Sequence, residues 1–503
     1  MKITKLVYRR QFLLGPQYID NLSSWNKVKL ADKYFLTVHP DLSITMVNFN
    51  SNYIILLGYL LDPSNPSKDN VSILEACTGK VRSISDIFYK LDKMCGRFVI
   101  ILKYQNDFII FNDATGMREI FYFEDNSNNL WCASQSEIIA QYCNVPINEK
   151  IKKELFNLSL FSNTSEYWYP GDSTIYENLH HLTPNHYLNL NTHSIVRYWP
   201  VKRIRSISLS ECVRRSSTLL KNILVAACNR FNIAMSISAG YDSRILIAAS
   251  KDIKDQIYFF SHTHKNLTVD GLDIRIPAKL LPLLNLKHNI VNVPMMMDVE
   301  FEKIFRKNVT TARTSKGLNA YGLLEHFKNN KKEIVLMNGN LCEIARRNIC
   351  RYPRIPQCMI NERTLSLFAK MGKSYFANQK FYEWWILIKE LPILQQYIIE
   401  LFQWEQKSAR WAATTFSEMD ISFENLSPFN CKELLILMMG VDLKYRTLPN
   451  YSLYRHLIKN LWPETLQIEI NPHPNNIDKY FKFFVYKYRI YEFVKFIYLN
   501  LVH

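Results

Sequence analysis

Residues 231–250, FNIAMSISAGYDSRILIAAS, decide the fold of the larger part of the chain. The apolar run NIAMSIS predicts a buried strand, and the small residues SAG that follow it predict a tight loop. The apolar residues of DSRILIAAS then recur at helical spacing. A buried strand that leads through a short loop into a helix is typical of an α/β protein.

Further strands and helices alternate downstream of this stretch. The apolar runs QIYFFSH (256–262), HNIVNVP (288–294) and EIVLMNG (333–339) predict strands, and helical stretches such as GLDIRIPAKLLPLLN (271–285) separate them. This alternation predicts an open parallel α/β sheet, with helical additions over residues 360–465. Such sheets bind ligands beyond the carboxyl ends of their strands.

The N-terminal third has a different pattern of short strands rich in Ile, Val, Phe and Tyr. Examples are FVIILKY (98–104), FIIFND (108–113) and EIFYFED (119–125). Fully apolar strands of this kind predict a sandwich core or a sheet buried on both faces. The stretch 148–161 predicts a helix, and 186–199 predicts a hairpin.

The loop after the first strand of the parallel sheet has the composition of a phosphate site. Small residues let backbone N–H groups approach a ligand, and the helix N-terminus adds partial positive charge. A carboxylate in such a loop favours Mg²⁺ bound together with phosphates. An ordinary strand–helix turn capped by Asp and Ser fits the loop equally well. The candidate ligand residues are Ser236, Ser238, Ala239, Gly240, Tyr241, Asp242 and Ser243.

A second strand end, in EIVLMNGNLCEIARR (333–347), adds a candidate partner for Asp242. Gly339 and Glu343 follow this strand, so a second carboxylate is available for a metal site. Arg346 and Arg347 are suited to hold pyrophosphate. The alternatives are a first-turn acid that stabilises the helix dipole and arginines on a solvated helix face.

Both strand ends resemble motifs of the asparagine synthetase family. SISAGYDSR (236–244) is similar to its pyrophosphate-binding loop, S-G-G-x-D-S, and VLMNGNLCEIAR (335–346) is similar to its second motif. Residues 91–123 resemble its glutaminase-type domain. The resemblance covers most of residues 80–470. It also includes PNHYL (184–188) and the residues Asp113, Gly116, Arg118, Tyr122, Pro428 and Phe429.

The resemblance implies two domains and a tail. Residues 1–200 would form an α+β, Ntn-hydrolase-like sandwich, and 205–470 an open parallel α/β ATP-pyrophosphatase domain. Residues 471–503 would form an aromatic, basic C-terminal helix.

The implied activity is ATP-dependent amide-bond formation through an acyl-adenylate, with release of pyrophosphate. Asp242, Glu343 and Arg346 would be catalytic, and Asp242 and Glu343 would hold Mg²⁺. The implied ATP-binding residues are the seven of the loop together with Ser261 and Gly339.

Several departures from the family pattern limit what this chain is expected to do. The family's glutaminase uses an N-terminal cysteine, whereas this sequence begins Met1-Lys2 and its first cysteine is Cys77. Glutamine hydrolysis is therefore expected to be absent, and the amine must come from elsewhere. Ala239 replaces a glycine, Leu341 and Cys342 stand in a turn that is usually Gly-rich, and Asn430 replaces an acid. A non-catalytic scaffold or partner-binding protein in a natural-product or surface-glycan pathway remains the alternative.

The composition is that of a globular protein with a strong positive charge. Its 503 residues carry a formal charge of +17, but Lys and Arg are scattered and no nucleic-acid motif is present, so no nucleic-acid partner is expected. The basic tail leaves open a peripheral membrane contact, a docked helix or a homodimer contact. No transmembrane segment and no signal peptide are expected, and free thiols indicate a cytoplasmic protein. The acyl and amine substrates stay open.

Overall fold

The protein is described here by a computed structural model. The structure describes residues 3–30, 33–162, 166–264, 267–309, 311–349, 359–391, 397–448 and 451–472. The helix expected in the C-terminal tail falls outside these residues from position 473 onward.

Two antiparallel sheets occupy the N-terminal region. One has the strand order β10-β8-β9-β1-β3-β2 and the other β12-β11-β7-β6-β5-β4. The predicted hairpin is confirmed, since β11 and β12 pair antiparallel with His186 opposite Arg197. The strands are β1 Phe12–Gly15, β2 Asn26–Leu30, β3 Tyr34–Val38, β4 Ile44–Phe49, β5 Asn52–Leu61, β6 Cys95–Tyr104, β7 Asp107–Asn112, β8 Phe121–Glu124, β9 Leu130–Ala133, β10 His180–His181, β11 His186–Asn189 and β12 Ile195–Arg197.

The two sheets pack face to face and helices cover their outer faces. The shared core joins Phe12 and Leu36 of the first sheet to Ile101 and Ile110 of the second. Helices α1 (Asn70–Thr78) and α2 (Ile84–Leu91) cover the second sheet, and α3 (Ser136–Cys143) covers the first. The result is a four-layer α+β sandwich, which confirms the expected class for this region.

The third sheet is parallel throughout and has the order β15-β14-β13-β16-β17. The chain order along the sheet reverses between β13 and β16, so these neighbouring strands define its topological switch point. This confirms the predicted open parallel sheet. Its strands are β13 Asn232–Ser236, β14 Ile257–Thr263, β15 Asn289–Asn292, β16 Ile334–Met337 and β17 Glu424–Leu426.

Helices cover both faces of the parallel sheet. A core containing Met235, Leu246 and Leu457 lies on one face, and a core containing Ala234, Phe260 and Phe305 lies on the other. The remaining helices are α4 Glu149–Phe156, α5 Ser159–Ser162, α6 Leu209–Arg230, α7 Tyr241–Ala249, α8 Leu272–Leu283, α9 Val299–Asn308, α10 Thr314–His326, α11 Cys342–Ala345, α12 Glu362–Phe368, α13 Tyr375–Lys389, α14 Ile398–Phe402, α15 Ala413–Met419, α16 Lys432–Met439, α17 Leu443–Arg446 and α18 Ser452–Leu461. A π-helix, Gln403–Ala412, joins α14 to α15.

A buried charge network fixes the antiparallel sheets to the parallel-sheet region. Arg97 of β6 binds both oxygens of Asp420, at 2.5 and 2.7 Å, and Oε1 of Glu424 at 2.8 Å. Arg118 binds the other Glu424 oxygen at 2.6 Å. Because all four side chains are almost wholly excluded from solvent, each depends on its partners to remain charged.

Two further sequence predictions concern the chain as a whole. Within the described ranges, no helix combines the length and apolarity needed to cross a membrane. The antiparallel sheets fall inside residues 1–200 and the parallel sheet inside 205–470, while the division into domains at these boundaries stays a prediction.

Candidate functional site

The loop between β13 and α7 is held by its own serine side chains. The Ser243 hydroxyl donates to the Ser238 carbonyl at 3.0 Å and accepts from the Ser238 N–H at 3.1 Å. Gly240 is the N-cap of α7 and has no side chain to cap it. The first N–H groups of the nine-residue helix α7 therefore receive no hydrogen bond from an N-cap side chain. A helix N-terminus that binds an anion requires N–H groups that no cap occupies.

The backbone at Ala239 is unstrained, but its N–H already has a hydrogen-bond partner. Ala239 does not have a left-handed φ, so alanine replaces the family's glycine without backbone strain. The Ala239 N–H already donates to a carboxylate oxygen of Asp273, at 2.9 Å, from the first turn of α8. An anion that binds this amide must displace that carboxylate.

The second strand end lies directly against the first. A Cβ atom added to Gly339 would lie 2.7 Å from Cβ of Asp242, so only glycine fits here without a shift. Two residues later Leu341 adopts a left-handed φ of 79° although it is fully buried. Because a leucine rarely adopts this conformation, the turn that is Gly-rich in the family keeps its shape here under local strain.

Asp242 and Glu343 come together at the switch point between β13 and β16. Oδ1 of Asp242 and Oε1 of Glu343 are buried and lack a hydrogen-bond partner among the described residues. Burial, together with the Asp242 charge, raises the pKa of Glu343 above its usual value. Two neighbouring carboxylates with unpartnered oxygens favour a nearby cation.

Arg346 supplies part of the positive charge. Its Nη2 lies 2.5 Å from Oδ2 of Asp242, and its guanidinium lies 5.8 and 5.5 Å from the ring centroids of Tyr451 and Tyr454. Burial opposes its charge, but the Asp242 carboxylate outweighs this and raises the pKa of Arg346. The arginine binds Oδ2 of Asp242, and Oδ1 has no hydrogen-bond partner among the described residues.

The pair suits Mg²⁺ as a partial ligand set. Carboxylate oxygens are its preferred protein ligands, and it commonly takes one or two of them with phosphate and water oxygens. No cluster of three or more His, Cys, Asp or Glu with metal-site spacing occurs in the described part of the chain. Asp242 and Glu343 would thus hold the ion only together with ligand oxygens.

A cavity of about 360 Å³ opens beside the two acids. It also receives side chains from the connection after α5, from α12 and from the π-helix. Its lining residues are Leu160, Glu166, Trp168, Asp242, Asn340, Glu343, Arg346, Asn348, Phe368, Ala369, Lys370, Lys407 and Trp411.

The sequence predictions identified one edge of this cavity. Asp242, Glu343 and Arg346 line it. The other predicted binding residues do not: Ser236, Ser238, Ala239, Gly240, Tyr241, Ser243, Ser261 and Gly339. The Ser261 hydroxyl instead donates to the Ile237 carbonyl at 2.8 Å, and Arg347 faces Glu400. Lys407 and Trp411 were missed, because a π-helix in a region predicted simply as helical gives no sequence signal.

The N-terminal motif residues are structural in this molecule. The Asp113 carboxylate accepts backbone N–H bonds from Phe98, Met117 and Arg118, at 2.8–3.1 Å. These contacts fix the DATGMR loop within the N-terminal region, and the Asn430 amide donates to Asp113 from the parallel-sheet region at 2.9 Å. Asp113 therefore shapes an interface and does not line the cavity.

The start of β1 offers no nucleophile of the glutaminase type. Buried Arg10 and Gln11 precede β1, and Gln11 donates to the Asn308 carbonyl at 3.1 Å. Cys77 is buried in α1, and burial raises the pKa of its thiol to about 11. A thiol with this pKa is a poor nucleophile at neutral pH.

Comparison with known proteins gives no family for the chain. No protein-family model and no curated protein matches it. Solved structures to which it is similar include one titled the allosteric regulatory enzyme of purine biosynthesis, at 9% identity over 74% of each chain and a TM-score of 0.24. Another is glutamine phosphoribosylpyrophosphate amidotransferase from B. subtilis complexed with ADP and GMP. It shows 10% identity over 67% of this chain and 77% of that chain, with a TM-score of 0.22. Likeness at this level carries no argument about function.

Proposed function

We propose that the protein is an ATP-dependent ligase that forms an amide bond by way of an acyl-adenylate. One observation carries the proposal. The buried Glu343 and the half-buried Asp242, each with one oxygen that lacks a hydrogen-bond partner in the described part of the chain, meet beside an uncapped helix N-terminus at the switch point of a parallel sheet. This is where open α/β sheets bind ligands, and it offers an anion site next to a cation site.

The proposed reaction has two steps. A substrate carboxylate attacks the α-phosphorus of ATP, a new C–O–P linkage forms, and pyrophosphate leaves. An amine then attacks the acyl carbon, the amide bond forms, AMP leaves, and the amine nitrogen gives up a proton. In this scheme the amine comes from outside the N-terminal region, because Cys77 is buried and burial raises the pKa of its thiol to about 11.

Each side chain has a distinct task in this scheme. The N–H groups at the start of α7 bind the pyrophosphate oxygens, and Arg346 holds the Asp242 carboxylate in place through one oxygen. Asp242 and Glu343 would hold Mg²⁺, which when bound neutralises charge on the departing pyrophosphate. Ser238 and Ser243 hold the loop after β13 in shape, and Gly339 lets the end of β16 approach Asp242 closely.

One observation favours a second candidate, a non-catalytic protein that binds a partner. The Asp273 carboxylate already occupies the Ala239 amide, where the ligase would bind a phosphate oxygen. The strained turn at Leu341 further distinguishes this site from a Gly-rich one. A loop satisfied by its own side chains needs no nucleotide.

Calorimetric titration of the protein with Mg²⁺ and an ATP analogue separates the two candidates. The analogue is one that cannot be cleaved between its α- and β-phosphates. The wild type should bind saturably. Asp242→Asn and Glu343→Gln should each weaken binding at least about tenfold, because each removes a charge from the cation site. Asp252→Asn is the matched control, since this acid is exposed and forms a surface pair with Lys221.

Folding is checked by thermal melting of every variant. Absence of binding by a folded wild type would reject the ligase and support the non-catalytic candidate. Binding that Asp242→Asn leaves unchanged would show that the nucleotide lies elsewhere, and would also reject the proposed site.

A further inference from the structure

The part of the cavity away from the acid pair is aromatic. Trp168, Trp411 and Phe368 line it together with Leu160, and they come from three separate elements. Converging aromatic side chains with a few polar groups are typical of a site for a flat apolar ligand. The proposed reaction by itself requires no aromatic wall.

Trp411 is held in one orientation. Its indole N–H donates to a carboxylate oxygen of Glu166, whose other oxygen binds Lys316 at 3.0 Å. The Lys316 ammonium also lies 5.8 Å from the Trp411 ring centroid. A ring whose N–H is bonded and whose face is approached by a cation offers the cavity a fixed apolar surface.

Trp168 is equally constrained. It is 3% exposed, and its ring centroid lies 6.0 Å from that of Phe381 in α13. Both tryptophans are thus positioned by the surrounding protein before any ligand arrives, which lowers the cost of binding a rigid ligand.

Charged side chains also line the cavity. Its cations are Arg346, Lys370 and Lys407, and its acids are Glu166, Asp242 and Glu343. Lys407, from the π-helix, is close enough to Glu343 for its charge to act on that carboxylate. With Mg²⁺ held by Asp242 and Glu343 as proposed, positive charge exceeds negative charge in the cavity and favours an anionic group on the ligand. The volume of about 360 Å³ is near the lower end for ligand pockets, which suits a molecule of one or two rings.

We infer that the acyl substrate is an aromatic carboxylic acid of one or two rings, with its ring against Trp168 and Trp411 and its carboxylate toward Lys407 and the acid pair. This inference rests on the proposed function, because it names the acid that the ligase activates. A small aliphatic acid leaves the aromatic wall uncovered and gains nothing from it.

The test measures binding of three probes by calorimetry, with and without Mg²⁺ and the ATP analogue. The probes are indole-3-acetate, succinate as a small aliphatic acid, and tryptamine as an aromatic cation. The wild type should bind indole-3-acetate at least about tenfold more tightly than succinate, because stacking and ring burial act only on the former.

Variants identify the wall as the origin of this preference. Trp411→Ala should remove it and Trp411→Phe should keep part of it, and binding of the ATP analogue is measured for each variant in parallel. Trp385→Ala, on α13, is the matched control, since Trp385 is also a partly buried tryptophan and does not line the cavity. If Trp411→Ala fails to fold, the affinities for indole-3-acetate and for succinate are compared at the same pH in Trp411→Phe instead.

The outcomes separate this inference from the proposed function. Equal affinity for succinate and indole-3-acetate, or preference for tryptamine, would overturn the aromatic-acid inference. If the same protein binds the ATP analogue, the ligase proposal still stands. Tight, Trp411-dependent binding of indole-3-acetate by a protein that does not bind the analogue would support the cavity's ligand class and reject the ligase.

Discussion

At the scale of single residues, Asn430 shows how one atom changes the meaning of a motif. The resemblance drawn from the sequence leads one to expect an acid after Pro428 and Phe429, and this chain carries Asn430 there. Asn430 Nδ2 donates to the Asp113 carboxylate at 2.9 Å and to the Gly96 carbonyl at 2.6 Å. Its Oδ1 accepts from both the N–H and the hydroxyl of Thr115. An ionised carboxylate at this position could accept from Thr115 but could not donate to Asp113 or to Gly96.

We predict that Asn430→Asp strongly destabilises the protein. The substitution would place two fully buried carboxylates about one hydrogen-bond length apart, and it would remove a donor from Asp113. The expected loss in free energy of unfolding is about 3–5 kcal/mol at pH 7, as for other broken buried charge contacts. Urea unfolding followed by tryptophan fluorescence measures it.

The loss should shrink on acidification to pH 5, because one carboxylate of the new pair can then take up the proton that they share. Asn106→Asp serves as control, since Asn106 is exposed in the turn between β6 and β7. Equal stability of Asn430→Asp and Asn106→Asp would show that the Asn430–Asp113 contact does not carry the interface.

At the scale of secondary-structure elements, the site depends on how closely two strand ends approach. Gly339 after β16 touches Asp242 in the first turn of α7, while Gly240, at the N-cap of α7, has open space around it. A Cβ atom at Gly240 would meet its nearest neighbour, Ser238 Oγ, at an ordinary 3.5 Å, and φ there is −80°. The folded chain therefore requires glycine at 339 and has no need of it at 240.

This contrast predicts different results for two Gly→Ala variants. Gly240→Ala should melt within a few degrees of the wild type, but it should weaken binding of the ATP analogue at least about tenfold, because the methyl group would crowd the phosphate. Gly339→Ala should lose about 1–3 kcal/mol of stability through overpacking against Asp242, and should lose binding as well. Unchanged analogue binding by a stable Gly240→Ala would show that phosphate does not approach this loop.

Periodicity predicted these elements because each is set by local sequence. The run NIAMSIS, the small residues after it and the helical spacing of ILIAA specify β13, the loop and α7 without reference to the rest of the chain. The strand-end acids followed from the same reasoning, since the carboxyl ends of neighbouring parallel strands share one edge.

Other features depend on contacts between distant segments and left no local trace. Trp411 lines the cavity from within the π-helix, and the residue spacing of QWEQKSARWA does not reveal i→i+5 hydrogen bonds. The contact of Asp273 with the Ala239 amide joins residues 34 positions apart. Leu341 adopts a conformation that its residue type disfavours, so propensity pointed away from the structure.

At the scale of the whole molecule, the N-terminal sandwich acts as a support for the parallel sheet. Arg97 and Arg118 neutralise Asp420 and Glu424, which lie just before and at the start of β17, at the edge of the parallel sheet. The connection after α5 also brings Trp168 and Glu166 into the cavity. The N-terminal region thus shapes the candidate site through these contacts.

Buried histidines make this assembly sensitive to acid. Desolvation lowers the pKa of His39, His186 and His262 to about 4, whereas each has a pKa near 6.5 when the chain is unfolded. Between these values the unfolded chain binds more protons, so stability is present above pH 6.5 and is lost as the pH falls toward 4. Glu119 acts in the opposite direction, because burial raises its pKa to about 7 and the folded chain then holds the extra proton below that pH. Among the described residues, six histidines have a lowered pKa, while four acids, Asp113, Glu119, Glu343 and Asp420, have a raised one, so the balance is a net loss of stability on acidification.

We therefore predict that the free energy of unfolding falls from pH 7 to pH 5, with His186 contributing about 2 kcal/mol of the loss at pH 5. Urea unfolding at half-unit pH steps measures the slope. His186→Gln should reduce the slope of the free energy of unfolding against pH by the contribution of one proton, since glutamine stays neutral. Glu119→Gln should increase that slope, because it removes the group that acts in the opposite direction. A wild-type curve that is flat over this range, or a slope that His186→Gln leaves unchanged, would contradict the assignment. It would mean that His186 keeps its charge in the folded protein by means of the neighbouring Glu405, whose attraction to the imidazolium competes with desolvation and with the repulsion from Arg197.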